Sequence, residues 1–374
     1  MKKILLIGNS GIDHGGTDGQ TVKVRLYLKK IKDEGFDCNF VDLEHFSRHP
    51  FSILLQIKRK IKHCDRIVLI TAQRGSMVLI PFINHCNKKF KKPFVFPLIG
   101  TSVLHYTIDK LNDVDKNNFI LNHDFSKSKN SKKWSKHLQK MTYVLPETDL
   151  LTDVFSEFYK LNNVRTLNNF RDHFNIKKTD FHSEKESLKI VYLSRVMREK
   201  GIFDLLDVVE KINCFKKSIS LDIYGECLMN DDDLKTFNLK TNIGSIKYCG
   251  RVKQENAVEI LSKYDLFVFP TRFAGEGVPG VIVESLLAGT PVLTSNFPQA
   301  HLLLTDNKDS IFFEMFNKDD LEQKLLNIIN NMSIISKLKE NTLESSKKYT
   351  YEHEREKFLK YVCGVEDIEW KALF

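Results

Sequence analysis

The 374-residue sequence predicts an α/β protein with two domains, each built on a doubly wound parallel β-sheet. The chain is longer than a single hydrophobic core usually supports. Short, continuously apolar runs alternate with longer amphipathic stretches, which is typical of strands buried between helices on both faces of a sheet. Apolar residues make up 42% of the chain, enough to fill two such cores.

Apolar runs in both halves of the chain predict the strands. In the first half they are residues 4–8, 66–71, 94–100, 143–145 and 164–167. In the second half they are residues 189–193, 221–224, 246–248, 266–270, 291–294 and 311–313. Helical stretches follow these runs, and this βαβα order predicts a doubly wound sheet in each half.

A polar segment separates the two sets of strands. It follows the run that ends at residue 167 and leads to the strand at 189–193, so the boundary falls within 168–187. We therefore predict a first domain over residues 1–170 and a second domain over residues 171–350. Residues 351–374 contain a predicted C-terminal helix, about Tyr351–Val362, that crosses back to the first domain.

The composition argues against a membrane-spanning or secreted protein. No apolar run reaches the roughly 18 residues of a transmembrane helix. The run Ile4–Ile7 is too short for a signal peptide, and no small-residue cleavage site follows it. The seven cysteines are scattered and form no CxxC pair, which predicts neither a disulfide framework nor a zinc site. We expect a cytoplasmic protein.

Positive charge is concentrated in the first domain. Residues 1–170 carry 28 Lys and Arg against 16 Asp and Glu, whereas the rest of the chain is slightly acidic. This asymmetry predicts an anionic partner, such as a membrane surface, a pyrophosphate-linked acceptor or nucleic acid; the alternative is that the charge only serves solubility. Residues 51–63 mix apolar and basic side chains, and they either lie on an anionic membrane or pack on the sheet as a helix.

The segment Phe269–Ser295 carries the clearest chemical signal. It begins as a strand, passes through a glycine-rich loop and becomes a helix that ends at Gly289. Glycines in the loop let the backbone approach a ligand closely, and Pro279 suits the first helical turn. The free N–H groups of a helix N-terminus bind phosphate. The sequence therefore predicts a phosphate site at the start of this helix.

Two acids and two cations surround that predicted site. Glu276 and Glu284 are eight positions apart, and carboxylates accept hydrogen bonds from sugar hydroxyls at about 1.5–3 kcal/mol each. Arg195 and Lys200 follow a buried strand, where cations point into a ligand crevice and neutralise a pyrophosphate. A nucleotide-diphosphate sugar satisfies all four groups. The alternative is that these residues bind no ligand. Glu276 would then cap the helix and Glu284 would be a solvated surface acid. Arg195 and Lys200 would be exposed loop cations.

These residues resemble the signature of retaining GT-B glycosyltransferases of family 4. The acids Glu276 and Glu284 precede Gly289-Thr290-Pro291-Val292 as in that signature, and the form PTxxxGEGxPGxxxE resembles its exopolysaccharide and capsule branch. Arg195, Lys200 and Gly201 resemble a second element, although Ser194 stands where glycine is usual. The resemblance implies the GT-B fold, with two Rossmann-like domains facing a cleft.

The resemblance also implies a role for each site residue. Glu276 contacts the transferred sugar while Arg195 and Lys200 hold the diphosphate, so these three form the predicted catalytic set. Glu284 binds the ribose of the donor. The remaining donor contacts implied are Gly277, Val278, Pro279, Gly280, Gly15 and Gly16. His105 is a further candidate in the first domain, with a structural role as the alternative.

The implied function is transfer of a sugar, of the hexosyl type, from a nucleotide-sugar donor to a glycan acceptor, lipid-linked or oligosaccharide, in surface polysaccharide biosynthesis. The protein would act in the cytoplasm or at the inner face of the cell membrane, with no nucleic-acid partner. No cofactor or metal is expected, because cations and a helix N-terminus already offset the diphosphate; Asp113-Val114-Asp115 has the DxD spelling but no supporting context. The alternatives are a GT-B-fold nucleotide-sugar 2-epimerase and a non-catalytic sugar- or nucleotide-binding protein.

Overall fold

The computed structural model divides into two compact units. One unit contains Met1–Phe170 together with Tyr351–Phe374, and the other contains Arg171–Thr350. The structure describes residues 2–13, 19–100, 131–172, 187–216, 219–273, 276–297 and 299–366.

The first unit is built on a parallel sheet with the strand order β2-β1-β3-β4-β5. The direction of winding reverses between β1 and β3. The strands are β1 (Lys3–Gly8), β2 (Asp37–Asp42), β3 (Arg66–Ile70), β4 (Phe94–Pro97) and β5 (Tyr143–Leu145).

Helices cover both faces of this sheet. Val24, Tyr27 and Ile31 recur at helical spacing in the first helix and are buried against the strands. The helices are α1 (Gly19–Asp33), α2 (Pro50–Ile61), α3 (Gln73–Asn87), α4 (Ser131–Leu138) and α5 (Asp149–Tyr159).

The second unit contains a six-stranded parallel sheet with the order β11-β10-β9-β6-β7-β8. The chain winds outward from β6 to β8, returns to β9 beside β6, and winds outward again to β11. The strands are β6 (Leu188–Leu193), β7 (Ile219–Tyr224), β8 (Ile246–Gly250), β9 (Leu266–Phe269), β10 (Val292–Ser295) and β11 (Ser310–Phe313).

The helices of the second unit follow its strands. They are α6 (Ile202–Lys216), α7 (Asp231–Lys240), α8 (Ala257–Leu261), α9 (Gly280–Leu287), α10 (Ala300–Leu303), α11 (Lys318–Asn330) and α12 (Ser333–Ser346). Two buried clusters, one on each face of the sheet, form the core. The predicted α/β class with two parallel sheets is therefore confirmed.

The C-terminal helix α13 (Tyr351–Lys357) belongs to the first unit and continues to Cys363 as a wider π-helical turn. Tyr351 and Phe358 pack with Tyr27 and Phe170 in an aromatic cluster. This segment is thus part of the core on one face of the first sheet.

In the first half, one strand prediction was wrong and one strand was not predicted. The run at 164–167 forms only an isolated bridge, between Val164 and Val144. Strand β2 was missed because its sequence, DCNFVD, is not continuously apolar, and most of it is only partly buried at the edge of the sheet. Within the described ranges, no helix is both long and apolar enough to span a bilayer.

Candidate functional site

The predicted cations and the first predicted acid follow two neighbouring strands. Strands β6 and β9 pair directly, and the winding of the chain reverses between them. Arg195 and Lys200 come after β6, and Glu276 comes after β9. In open α/β sheets, ligands bind outside the carboxyl ends of the strands at such a reversal. The candidate site therefore lies where this fold most commonly binds a ligand.

Lys200 and Glu276 form a buried ion pair at this point. The ammonium of Lys200 donates a hydrogen bond to Oε1 of Glu276, and the hydroxyl of Thr271 donates to the same oxygen over 2.8 Å. The aromatic ring of Phe273 lies 5.1 Å from Nζ of Lys200, within range of a cation–π contact. The carboxylate is therefore held by two donors before any ligand binds.

The backbone of Glu276 is held as well. The side-chain amide of Gln299, which is fully buried, donates to the carbonyl oxygen of Glu276 over 2.9 Å. The amide of Glu276 donates to the carbonyl of Phe273 across the loop, over 3.3 Å. These bonds fix the end of the glycine-rich loop relative to the sheet.

A glycine after Lys200 brings the lysine to the end of β9. Lys200 ends a short 3₁₀ turn, Arg198–Lys200, and Gly201 follows with φ +72°. A Cβ atom at position 201 would lie 1.7 Å from the carbonyl oxygen of Pro270. Only glycine lets the two backbones approach this closely, so Gly201 positions Lys200 beside Glu276.

Helix α9 begins where the glycine-rich loop ends. Pro279 immediately precedes the helix as its N-cap, with φ −61°, so the expectation that it lies inside the first turn was off by one position. Its fixed φ directs the chain into the helix. At the other end Gly289, with φ +70°, follows the C-cap Ala288 and ends the helix as predicted. The first N–H groups of such a helix have no intrahelical partner and are suited to an anion.

Glu284 lies one turn inside α9 and is also buried. Its Oε1 accepts hydrogen bonds from Nε of Arg171 over 3.0 Å and from the side-chain amide of Gln254 over 3.1 Å. Oε2 accepts no hydrogen bond from the described residues. Glu284 was predicted to bind a ligand. In the structure its Oε1 is already hydrogen-bonded, and its Oε2 is available to a ligand.

Gly280 makes room for Arg171. A Cβ atom at position 280 would lie 1.9 Å from Nη2 of Arg171. Glycine is predicted here because it lets a ligand approach, and the structure adds a second reason, the space that the guanidinium needs. Gly277 is partly buried and Val278 is buried, between Glu276 and the helix.

Arg195 differs from the other three predicted side chains. It is exposed, and within the described part of the chain its guanidinium forms no ion pair with Glu276 or Glu284. Its backbone carbonyl accepts a hydrogen bond from the hydroxyl of Tyr192 over 2.8 Å. Burial raises the pKa of Tyr192, so this phenol remains a donor at neutral pH. The loop is therefore fixed, while the side chain of Arg195 faces solvent.

Several predicted residues lie outside the described ranges. They are Gly15, Gly16, His105, Asp113 and Asp115. Within the described ranges, no group of three or more His, Cys, Asp or Glu side chains is placed to hold a metal ion.

The structure also supplies neighbours of the two acids that the sequence analysis missed. They are Arg171, Gln254, Thr271 and Gln299. Arg171 is 113 positions from Glu284 and falls in the segment taken as a domain boundary, so no local pattern marked it. Thr271 belongs to the PTxxxGEG pattern itself and could have been identified from it.

The first unit contains a buried ion pair at the carboxyl ends of β4 and β5. Nζ of Lys23 donates to Oε1 of Glu147 over 2.7 Å and to the carbonyl of Leu98 over 2.6 Å. The other carboxylate oxygen of Glu147 accepts from the amide of Gly100 over 3.4 Å. This pair ties α1 to the segments that follow two strands.

The sequence of the second unit matches a known family. Residues 174–348 match the family described as glycosyl transferases, group 1. An uncharacterized glycosyltransferase of Methanocaldococcus jannaschii is 25% identical over 43% of this chain and 44% of its own length. The poly(ribitol-phosphate) alpha-N-acetylglucosaminyltransferase of Staphylococcus aureus is 27% identical over 58% of this chain and 42% of its own. The chain thus spans less than half the length of these curated relatives.

The fold matches solved structures over nearly the whole chain. HepE from Anabaena, solved in complex with UDP and glucose, superposes with a TM-score of 0.70 at 13% identity, covering 98% of this chain and 100% of HepE. Sucrose-phosphate synthase from Thermosynechococcus elongatus superposes with a TM-score of 0.70 at 12% identity, over 96% and 97%. The fold is therefore GT-B, and residues 174–348 match the model of the group 1 glycosyl transferases.

Proposed function

We propose that this protein is a retaining glycosyltransferase of the family 4 type that uses a nucleotide-sugar donor. The observation that carries the proposal is the placement of Lys200 and Glu276 at the β6–β9 reversal, next to the helix that contains Glu284. This arrangement offers a cation, a helix N-terminus and two carboxylates to one ligand. A nucleoside diphosphate linked to a sugar has the matching groups.

Each residue has a stated task in the reaction. When the bond between the sugar and the diphosphate breaks, negative charge builds on the leaving diphosphate. Lys200, Arg195 and the N–H groups at the start of α9 stabilise that charge. Glu276 accepts hydrogen bonds from the sugar hydroxyls, and Glu284 accepts them from the ribose. The backbone from Gly277 to Gly280 contacts the donor.

The proposed acceptor is a glycan of the cell surface, lipid-linked or polymeric. Two curated relatives support this class: the Staphylococcus aureus poly(ribitol-phosphate) enzyme and a putative teichuronic acid biosynthesis glycosyltransferase of Bacillus subtilis, which is 28% identical over 36% of this chain. The excess of Lys and Arg in residues 1–170 suits an anionic acceptor. Capsule and exopolysaccharide assembly belong to the same class.

We also propose that α2 binds the inner surface of the cell membrane. Ile57 and Ile61 are buried against the sheet, which accounts for one face of this helix. On the remaining surface Phe51 is 86% exposed, and the basic side chains Lys58 and Arg59, two turns further along the helix, are also exposed. An exposed aromatic ring with cations on the same helix suits an anionic lipid surface.

Product analysis tests the proposed reaction. Purified protein is incubated with a panel of UDP-sugars and lipid extract, and the products are identified by mass spectrometry and NMR. The proposal expects release of UDP and a new glycosidic bond with the anomeric configuration of the donor. A free sugar epimerised at C2 would instead identify an epimerase, and tight nucleotide binding without turnover would identify a non-catalytic protein.

A further inference from the structure

Arg171 and Glu284 form an ion pair inside the second unit, and each side chain is only 7% exposed. The backbone of Arg171 is fixed at the same time. Its amide donates to the carbonyl of Tyr349 over 2.8 Å, and Arg171 forms a parallel bridge with Thr350. The last two residues of the unit, Tyr349 and Thr350, thus hold the backbone of the first residue, from which the guanidinium reaches the acid.

The hydrogen bonds to Glu284 are unequal between its two oxygens. Arg171 and Gln254 both donate to Oε1, at 3.0 and 3.1 Å. Oε2 receives no hydrogen bond from the described residues, although the side chain is almost fully buried. This oxygen is therefore open to the hydroxyl groups of a ligand.

The position of the guanidinium is also unusual for a helix start. It lies against Gly280, the first residue of α9, in the space that a side chain at 280 would fill. A cation near a helix N-terminus is repelled by the partial positive charge there. The carboxylate of Glu284 offsets this repulsion, so the arginine is best explained by what it does to that acid.

We infer that Arg171 is a positioning residue of the donor site: with Gln254 it holds Oε1 of Glu284 and leaves Oε2 to accept hydrogen bonds from the ribose hydroxyls. The inference rests on the proposed function, because it takes the ligand of Glu284 to be the ribose of a nucleoside diphosphate. Arg171 lies in the boundary segment 168–187, so a residue of that segment would contribute to donor binding.

Ribose discrimination provides the test. Dissociation constants of UDP and of 2′,3′-dideoxy-UDP are measured by calorimetry for the wild type, Arg171→Met and Arg171→Lys. Charge-assisted hydrogen bonds to two hydroxyls lead us to expect that the wild type prefers UDP by about tenfold or more. Arg171→Met should lose most of that preference, and Arg171→Lys should retain part of it. In turnover, KM for the donor should rise more than kcat falls.

The control is Lys211→Met, which removes an exposed ion pair with Glu322 elsewhere in the second unit and should keep the full preference. If Arg171→Met does not fold, Gln254→Ala removes the second donor to Oε1 and should lower the same ratio. A purely structural role would weaken both nucleotides equally, and an unchanged ratio would overturn the inference. If the wild type binds UDP without discriminating, the inference fails while the donor site stands; if it binds no nucleoside diphosphate, the proposed function fails as well.

Discussion

Lys200 and Glu276 form a buried ion pair across the point where the winding of the second sheet reverses. A buried pair of this kind adds little stability by itself, because both charges lose their hydration. Its presence at the β6–β9 reversal, with Thr271 and Gln299 holding the acid, indicates a site arranged for a ligand. The diphosphate of the donor would share Lys200 with Glu276.

Removing either member of this pair should abolish most activity. Lys200→Ala and Glu276→Gln are each expected to lower kcat on the order of 10²-fold or more, because each removes a preorganised charge at the reacting centre. Release of UDP from a UDP-sugar is the measurement. Lys211→Met, on an exposed pair, is the control and should stay near the wild-type rate. Equal rates for all three variants would remove both residues from the mechanism.

The close packing of Gly201 on Pro270 predicts a large stability effect. Gly201→Ala adds a Cβ atom 1.7 Å from a backbone carbonyl oxygen, whereas a Cβ atom at position 244 would have no described atom within 4 Å; both glycines have positive φ. The alanine at 244 should cost only the left-handed backbone, about 1–2 kcal/mol. Urea unfolding should give a clearly larger loss for Gly201→Ala. Similar losses would mean that the contact with Pro270 is easily relieved.

Gly280→Ala should weaken donor binding by displacing Arg171. The added Cβ atom would overlap Nη2 of Arg171, so the guanidinium must move away from Glu284. We expect a severalfold rise in KM for the donor. Gly19→Ala, at the first position of α1, would have no atom of the described residues within 4 Å of its Cβ atom and serves as the matched control. A KM that does not change in either variant would contradict this account of Gly280.

The ion pair between Lys23 and Glu147 should be essential for stability of the first unit. Lys23→Met leaves the carboxylate of Glu147 buried without its cation, which typically costs about 3–5 kcal/mol. Lys263→Met breaks an exposed pair with Glu259 and should cost far less, because water screens exposed charges. The free energies of unfolding are compared in urea. Equal values for the two variants would show that burial does not matter here.

Acid should weaken the attachment of α13. Hydrogen bonding to Arg355 lowers the pKa of Glu34 below its ordinary value of about 4.5. A carboxylate with a lowered folded-state pKa contributes stability above pH 4.5 that is lost as pH falls through the folded value. Glu34→Gln should therefore lose less stability than the wild type between pH 6 and pH 3, as measured by urea unfolding. Identical losses in both proteins would exclude this contribution.

Continuous apolar runs made the second sheet predictable. Strands β9, β10 and β11 are buried throughout, so apolar runs such as Leu266–Phe269 mark them, whereas the edge strand β8 is mostly only partly buried. Strand β2 escaped prediction because an edge strand tolerates polar residues. The run at 164–167 is apolar for a different reason: Val164 and Leu167 are buried in the core, but the segment makes only one bridge.

The site was predictable only in part. The spacing of Glu276 and Glu284, together with the glycine-rich loop, marked the segment that the structure places beside Lys200. Arg171 could not be found from the sequence, because its partnership with Glu284 arises from the fold. The roles of all the predicted site residues stay predictions: Glu276, Arg195, Lys200, Glu284, Gly277, Val278, Pro279, Gly280, Gly15, Gly16 and His105.

Transfer from a UDP-sugar by the wild type and by Lys200→Ala tests the central claim most directly. The account predicts that the wild type releases UDP and forms a glycoside that retains the donor configuration, and that Lys200→Ala does so at about a hundredth of the rate or less. Adding EDTA should leave the wild-type rate unchanged, because protein cations are proposed to stabilise the diphosphate. A wild-type protein that releases no UDP from any donor, or a variant as fast as the wild type, would contradict the claim.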